Sequence, residues 1–160
     1  MISLGIESTA HTFGIGIITD KGKVLANATD SFKTESGGLI PNQLGEHHEA
    51  VKDTVLKNAL EQSKLKLKDI NFVSFSQGPG IPFPLHVGMK FAKEIASKNK
   101  IPLVGVNHCV AHLEIGKLLT NAHDPVLLYT SGANTQIIAY ESGKYRIFGE
   151  TLDQGIGNFI

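Results

Sequence analysis

The sequence predicts an α/β fold, and three features of the chain support this prediction. Apolar runs separated by short polar turns fill the first part, which is typical of paired antiparallel strands. Helical periodicity then alternates with short apolar runs up to about residue 119, as in strands joined by crossover helices. Three further apolar runs follow in the last part of the chain. We therefore expect one complete α/β layer and the beginning of a second, similar one.

The first three strands are predicted from where turn residues interrupt the apolar runs. Residues 2–8 and 12–19 form a pair, joined by the polar turn Ser8-Thr9-Ala10-His11. Asp20-Lys21-Gly22-Lys23 has the composition of a second turn, and residues 23–33 supply the third strand. The chain is thus predicted to begin with a three-stranded antiparallel arrangement.

Helices and strands then alternate. The predicted elements are, in order, a loop at 37–41, a helix at about 42–62, a strand at 71–76, a loop at 77–82, a helix at about 84–98, a strand at 102–106 and a helix at 108–119. Three antiparallel strands followed by this alternation resemble a ribonuclease-H-like lobe, the half-unit of the actin, Hsp70 and sugar-kinase superfamily.

The remainder of the chain is predicted to start the same pattern again. Strands are expected at 125–131, 134–141 and 144–150. When Ile6–Ile15 is laid over Tyr129–Ile138, four of the ten positions are identical. We therefore expect a first lobe at residues 1–122 and a truncated second lobe at 123–160, with the last residues inside the first helix of that second lobe. A chain that stops there is expected to be a fragment.

Composition narrows the classes of function. Fifteen basic and fifteen acidic residues balance, and 41% of the residues are hydrophobic, as in an ordinary globular domain. The charge balance gives no sign of a strongly basic nucleic-acid-binding surface. One cysteine, Cys109, excludes an internal disulfide framework. No run reaches the roughly 18 to 20 apolar residues of a membrane span. We expect a cytoplasmic protein.

Two histidines one helical turn apart are the strongest chemical signal. His108 and His112 share one face of the predicted helix that follows a buried strand. Two imidazoles so placed could form part of a transition-metal site, but they could equally be a structural pair. Cys109 occupies the position of the general base in the zinc-protease pattern, which argues against a protease. By contrast, the pair His47-His48 is expected on a solvated helix face, and Cys109 as a buried thiol.

Two small-residue turns are candidates for phosphate binding. Ser8–His11 and Ser131–Asn134 occupy equivalent places in the repeated strand order. Backbone amides in such turns can hold phosphate oxygens. The turns could also be plain hairpin connections, and Tyr129, just before the second turn, could be a buried aromatic with a bonded hydroxyl.

Several stretches together resemble one family. They are Gly5–Thr12, Gly38–Pro41 with Glu46–His48, Gln77–Gly80, Val106–His112, Tyr129–Gln136 and Gly149–Asn158. In this order they resemble the N-terminal half of the universal threonylcarbamoyl-adenosine transferases, called TsaD in bacteria and the Kae-type subunit of KEOPS in archaea and eukaryotes. The family was formerly called O-sialoglycoprotein endopeptidase, and the wording here is closer to its archaeal members.

The resemblance implies an activity and a site. Members move a threonylcarbamoyl group from threonylcarbamoyl-AMP to the adenosine beside the anticodon of tRNA. One divalent metal ion, iron or zinc, would be held by His108, His112 and Tyr129, with an aspartate beyond residue 160. The nucleotide, threonylcarbamoyl-AMP or ATP, would be bound by the residues around the two turns: Tyr129, Thr130, Ser131, Gly132, Ala133, Ser8 and Thr9. No catalytic residue separate from the metal site is expected.

The resemblance also implies partners, and one position departs from it. Besides tRNA, the partners would be KEOPS subunits, namely the small dimerising subunit on the N-terminal lobe and a small protein kinase. His86 stands where the family usually has an arginine. Because the second lobe is missing, these 160 residues alone are expected to be inactive. Two alternatives remain open: an ATPase like the sugar or acetate kinases, and a non-catalytic docking lobe for a KEOPS partner.

Overall fold

The computed structural model describes residues 1–34, 40–132 and 134–159. The chain divides into two compact units, Met1–His108 and Cys109–Ile160. Most of the loop predicted at 37–41 lies outside the described residues. The predicted boundary between lobes, at residues 122 and 123, stays a prediction.

The first unit is a mixed α/β layer with a five-stranded sheet. Its strands are β1 (Ile2–Glu7), β2 (Thr12–Thr19), β3 (Val24–Ser31), β4 (Phe72–Gly78) and β5 (Leu103–Asn107). Its helices are α1 (Pro41–Ser63) and α2 (Pro82–Asn99), and one turn of 3-10 helix spans Leu67–Asp69. The strand order is β3-β2-β1-β4-β5. Strands β1, β2 and β3 pair antiparallel, whereas β4 and β5 run parallel to β1.

Prolines and left-handed residues set the ends of the two long helices. Pro41 and Pro82 stand in the first turns of α1 and α2, where a missing backbone N–H costs no hydrogen bond. This is why both helices begin slightly earlier than periodicity alone predicts. Lys64 (φ 58°) and Lys100 (φ 54°) end the two helices in the left-handed conformation.

The core of this unit lies between the sheet and the two helices. Its fully buried members include Leu4, Phe13, Ile15, Ile17, Ala59, Val73 and Ala92. Alternate residues of β1 and β2 point into this core, which fixes their register because a slip of one residue would expose it. Because β1, β4 and β5 are parallel neighbours, their carboxyl ends lie side by side at one end of the sheet.

The second unit is a small antiparallel sheet with helices. Helix α3 (His108–Leu119), whose first residue still belongs to the first unit, leads into β6 (Leu127–Thr130), β7 (Thr135–Glu141), β8 (Lys144–Glu150) and α4 (Ile156–Phe159). The strand order is β6-β7-β8, with both pairs antiparallel. Cys109, Leu113 and Ile138 form its buried core, and the half-buried Leu127, Tyr129 and Tyr145 pack against them.

The predicted element order is confirmed along the described chain, and the α/β fold class with it. The differences are at element ends: β3 stops at Ser31, β6 begins at Leu127, and the single 3-10 turn was not predicted. Within the described ranges, no helix is both long and apolar enough to cross a membrane.

Candidate functional site

Three parallel strands bring distant polar residues together in the first unit. Glu7 is the last residue of β1, and Ser76 lies near the end of β4, where Ile6 pairs with Phe75. His108 follows the last residue of β5. In open α/β sheets, binding sites form at the carboxyl ends of neighbouring parallel strands. These residues therefore mark the candidate functional site of the first unit.

The carboxylate of Glu7 accepts hydrogen bonds on both oxygens. Oε1 accepts the backbone N–H of Thr9 at 2.8 Å and also the Thr9 hydroxyl. Oε2 accepts the hydroxyl of Ser76 and lies 3.2 Å from Nδ1 of His108. Four polar groups from β4 and from the segments after β1 and β5 thus converge on one side chain.

The pKa of Glu7 reflects this environment. Burial by itself would raise its pKa, because an ionised carboxylate loses solvation. The hydrogen bonds from His108, Ser76 and Thr9 outweigh that effect and lower the pKa to about 2. Glu7 is therefore a carboxylate at neutral pH.

His108 is held from two sides. Its ring is 14% exposed, with Nδ1 facing Glu7 and Nε2 at 3.4 Å from Oγ1 of Thr9. The imidazole predicted as a metal ligand is thus oriented by a carboxylate. Metal-bound histidines commonly have such a carboxylate on their second ring nitrogen.

The turn after β1 is packed beneath the start of α2. Ser8 and Thr9 are buried, at 1% and 5% exposure. A Cβ on Gly88 would lie 2.0 Å from Oγ of Ser8, and a Cβ on Gly80 would lie 2.7 Å from the carbonyl oxygen of Thr9. The backbone N–H of Ile81 donates to that same carbonyl at 2.7 Å. At both positions the backbone approaches this turn so closely that only glycine fits without a shift.

In the second unit, His112 and Tyr129 lie together. Their ring centroids are 5.6 Å apart, with the rings tilted by 52°. His112 is exposed on α3, while Tyr129 is half-buried on β6. The structure therefore brings two of the three predicted metal ligands into contact. The convergence of all three on one ion stays a prediction.

The turn after β6 is closed by its own hydrogen bonds. The backbone N–H of Ser131 donates to the carbonyl oxygen of Asn134 at 3.0 Å, and the N–H of Asn134 donates to Oγ of Ser131 at 3.1 Å. The N–H of Gly157 donates to the carbonyl oxygen of Ser131 at 3.1 Å. A Cβ on Gly157 would lie 2.9 Å from the backbone nitrogen of Gly132, so α4 packs tightly on this turn.

Thr130 and Ala133 are two further residues predicted to bind the nucleotide. Thr130 is exposed at the end of β6. Ala133 lies outside the described residues. The roles predicted for these residues and for Ser8 and Thr9 in nucleotide binding stay predictions.

The predicted ligand set has suitable chemistry for a metal ion. Imidazole nitrogens are common ligands of both zinc and iron, and a phenol oxygen is an accepted ligand of iron. Among the described residues, no group of three or more His, Cys, Asp or Glu side chains is arranged to hold a metal. Cys109 is buried, as predicted, and burial raises the pKa of its thiol, which disfavours the thiolate that a metal requires.

One expectation is wrong. His48 is not on a solvated face but fully buried, with its ring edge-on to Phe13 at 5.4 Å. His47 is partly exposed, and its Nε2 lies 2.9 Å from a carboxylate oxygen of Asp30. Helical periodicity at two adjacent positions cannot show which of them faces the sheet.

Glu7 and Ser76 are the polar site residues that motif analysis missed. Their available signal was weak: Glu7 is the last residue of β1, and Ser76 is one of three polar side chains in β4, beside Ser74 and Gln77. Their partnership depends on the parallel pairing of β1 with β4, which local sequence does not specify.

Comparison with known proteins identifies the family. The family model described as tRNA N6-adenosine threonylcarbamoyltransferase (TsaD) matches residues 23–160. The chain belongs to the TsaD family. A protein of that name from Thermococcus sibiricus is 52% identical over 160 residues, which are 100% of this chain and 49% of that protein. The corresponding TsaD-family protein of Sulfurisphaera tokodaii is 49% identical and is matched over 48% of its length. The chain thus spans about half the length of these curated relatives.

One further relative agrees with this membership, and two solved structures have a similar fold. A probable bifunctional tRNA threonylcarbamoyladenosine biosynthesis protein of Methanosphaera stadtmanae is 49% identical, and the chain covers 30% of it. YeaZ from Pseudomonas aeruginosa superposes with a TM-score of 0.66 at 12% identity, over 94% of this chain and 66% of that one. A ROK family glucokinase from Streptomyces griseus gives 0.56 at 12% identity, over 96% and 49%. These two solved structures support the ribonuclease-H-like fold.

Proposed function

We propose that the protein containing this chain transfers a threonylcarbamoyl group from threonylcarbamoyl-AMP to N6 of an adenosine in tRNA. The observation that carries the proposal is the match to the transferase family over residues 23–160. The 52% identity to a relative of that name extends over the whole chain. This chain supplies the first half of such a protein, so the activity belongs to the longer protein.

The proposed reaction is an aminolysis. The exocyclic amine of adenosine attacks the carbamoyl carbon, a C–N bond forms, the bond to the phosphate oxygen breaks, and AMP leaves while the amine loses a proton. No protein nucleophile is needed, which agrees with the absence of a predicted catalytic residue outside the metal site. A divalent metal ion, when bound, would polarise the carbamoyl oxygen as a Lewis acid.

The residues of this chain would bind and orient the reactants. His108, His112 and Tyr129 would hold the metal, iron or zinc. The donor, or ATP in its place, would be bound by Tyr129 and Thr130 at the end of β6 and by Ser131, Gly132 and Ala133 after it, with Ser8 and Thr9 contributing from the turn after β1. Support comes from the contact of His112 with Tyr129 and from the carboxylate that orients His108.

The proposal is tested by replacing the ligands one at a time in the whole protein. Modified adenosine in tRNA is measured by mass spectrometry after incubation with threonylcarbamoyl-AMP. His108→Ala and His112→Ala are each expected to reduce the rate by about 100-fold or more, the range seen when one electrostatic stabiliser is lost. His123→Ala, at an exposed histidine beyond α3, is the matched control and should leave the rate unchanged.

Two results would contradict the proposal. Full activity in both histidine variants would exclude the metal site, and phosphorylation of a sugar or acetate by ATP that survives His108→Ala would favour the kinase-like alternative. No described contact favours the kinase over the transferase.

We further propose a cytoplasmic setting in a KEOPS assembly, with the small dimerising subunit bound to the first unit and the small protein kinase also present. The support is the archaeal character of the matching motifs and the archaeal relatives. Co-purification of this chain with the two partners, measured by size-exclusion chromatography, tests the assembly. Full binding of the small subunit without affinity for the nucleotide would instead favour the docking-lobe alternative for this chain alone.

A further inference from the structure

The hydrogen bonds around Glu7 determine which ring nitrogen of His108 carries a proton. A backbone N–H can only donate, so Oε1 of Glu7 must accept from Thr9 at 2.8 Å. The hydroxyls of Thr9 and Ser76 are directed at Oε1 and Oε2 respectively. With donors on both oxygens, the carboxylate is an acceptor only. Nδ1 of His108, 3.2 Å from Oε2, must therefore be the donor.

The opposite ring nitrogen is then constrained as well. A neutral imidazole with its proton on Nδ1 has a lone pair on Nε2. The Thr9 hydroxyl directs its one proton at Glu7, so its oxygen, 3.4 Å from Nε2, can only accept there. The contact that sets the tautomer of the neutral ring is therefore the shorter one, between Nδ1 and Glu7, and in that tautomer Nε2 can act as a metal ligand.

We propose that Glu7 is a positioning residue that fixes the ring orientation and tautomer of His108, so that Nε2 is presented to a divalent metal ion. The inference deepens the proposed function and rests on it for the identity of the ligand. Carboxylates that accept the second N–H of a metal-bound histidine fix its tautomer and raise its basicity. Glu7 acts through His108 and need not touch the substrate.

The support of Glu7 by two elements makes this role specific. Ser76 on β4 and Thr9 after β1 hold the two oxygens from different sides. A glutamine at this position has one acceptor oxygen and one NH2 group. With the NH2 in place of Oε1, it would face the backbone N–H of Thr9, which cannot accept a hydrogen bond. With the NH2 in place of Oε2, it would need Ser76 and Nδ1 of His108 as acceptors, which requires the other tautomer of the ring. Glu7→Gln is therefore a change of the same shape with the opposite hydrogen-bonding pattern on one side.

The tautomer is measured first, without metal. In the whole protein labelled with ¹⁵N-histidine, long-range ¹⁵N–¹H spectra distinguish a protonated from an unprotonated ring nitrogen. In the wild type, His108 is expected to carry its proton on Nδ1. Glu7→Gln should produce a mixture of tautomers. Glu7→Asp, which keeps the charge but shortens the side chain, should do the same and serves as the test if Glu7→Gln fails to fold. Glu94→Gln, on the exposed face of α2, is the matched control.

The zinc affinity of the same proteins is then measured by titration calorimetry. Both Glu7 variants are expected to bind Zn²⁺ about 10- to 100-fold more weakly than the wild type. Glu94→Gln should bind like the wild type. A wild-type ring protonated on Nε2, or unchanged tautomer and affinity in both Glu7 variants, would overturn the inference. If the wild type binds no Zn²⁺ or other divalent ion, the proposed metal site fails, and the metal-free spectra still decide whether Glu7 sets the ring.

Discussion

Acidification is expected to destabilise the first unit through His48. The pKa of this ring is lowered from 6.5 to about 4, first by burial and then by the neighbouring His47, while Glu7 acts in the opposite direction. The folded protein therefore keeps His48 neutral, whereas the unfolded chain binds a proton as the pH falls below 6.5. Since the unfolded state gains protons in this range, stability decreases from about pH 6.5 and levels off below about pH 4.

The magnitude follows from the difference between the two pKa values. At about 1.4 kcal/mol for each pKa unit, the full loss is about 3 kcal/mol. His48 is 0% exposed, so little of this is reduced by solvent screening. Within the described part of the chain, its Nε2 has no hydrogen-bond partner, so a charged ring would bury a proton on that atom without an acceptor.

The assay is urea unfolding of the 160-residue chain at several pH values between 7.5 and 4, compared with His48→Leu. Other groups titrate in this range, so the quantity of interest is the difference between the two proteins. His48→Leu lacks the titrating ring but fills an apolar site beside Phe13. The wild type should lose about 3 kcal/mol more than the variant over this range. Parallel pH profiles for the two proteins would refute the reasoning.

Two further predictions concern packing. Gly88→Ala should lower the free energy of unfolding by about 1 to 3 kcal/mol, because its Cβ would lie 2.0 Å from Oγ of the buried Ser8. Gly116→Ala, in α3, is the control, because no described atom outside its own helix backbone lies within 4 Å of that Cβ position. This change should raise the free energy of unfolding by about 1 kcal/mol. Thermal unfolding measures both variants. The Cys109 thiol is 1% exposed and its pKa is raised by burial, so it should react with a disulfide reagent slowly in the folded chain and rapidly in urea. Equal rates in both conditions would contradict its burial.

Local patterns were sufficient for the order of elements. Strand alternation and helical periodicity each depend on a few neighbouring residues, and both are strong in this chain. The helix that carries His108 and His112 was predicted from such a pattern, and so was the strand that contains Tyr129. The start of α2 was predicted late because Pro82 and Pro84 interrupt the apolar pattern without preventing a first helical turn.

The contacts of Glu7 and the burial of His48 were not predicted, because both depend on pairing between distant segments of the chain. Thr9 is close to Glu7 in the sequence, but the other groups that contact its carboxylate are Ser76 in β4 and His108 directly after β5. The burial of His48 depends on Phe13 of β2, which packs over that face of α1. In both cases the deciding contact joins segments far apart in sequence.

The span of the Glu7 contacts has a consequence for biosynthesis. Ser76 is 69 positions from Glu7, and His108 is 99 positions from Thr9. During synthesis on a ribosome, β1 would emerge long before His108. The contact between Glu7 and His108 could therefore form only after β4 and β5 had been made. Such non-local closure is slow compared with helix formation. Competence to bind a ligand at His108 would therefore be among the last properties that the nascent first unit acquires.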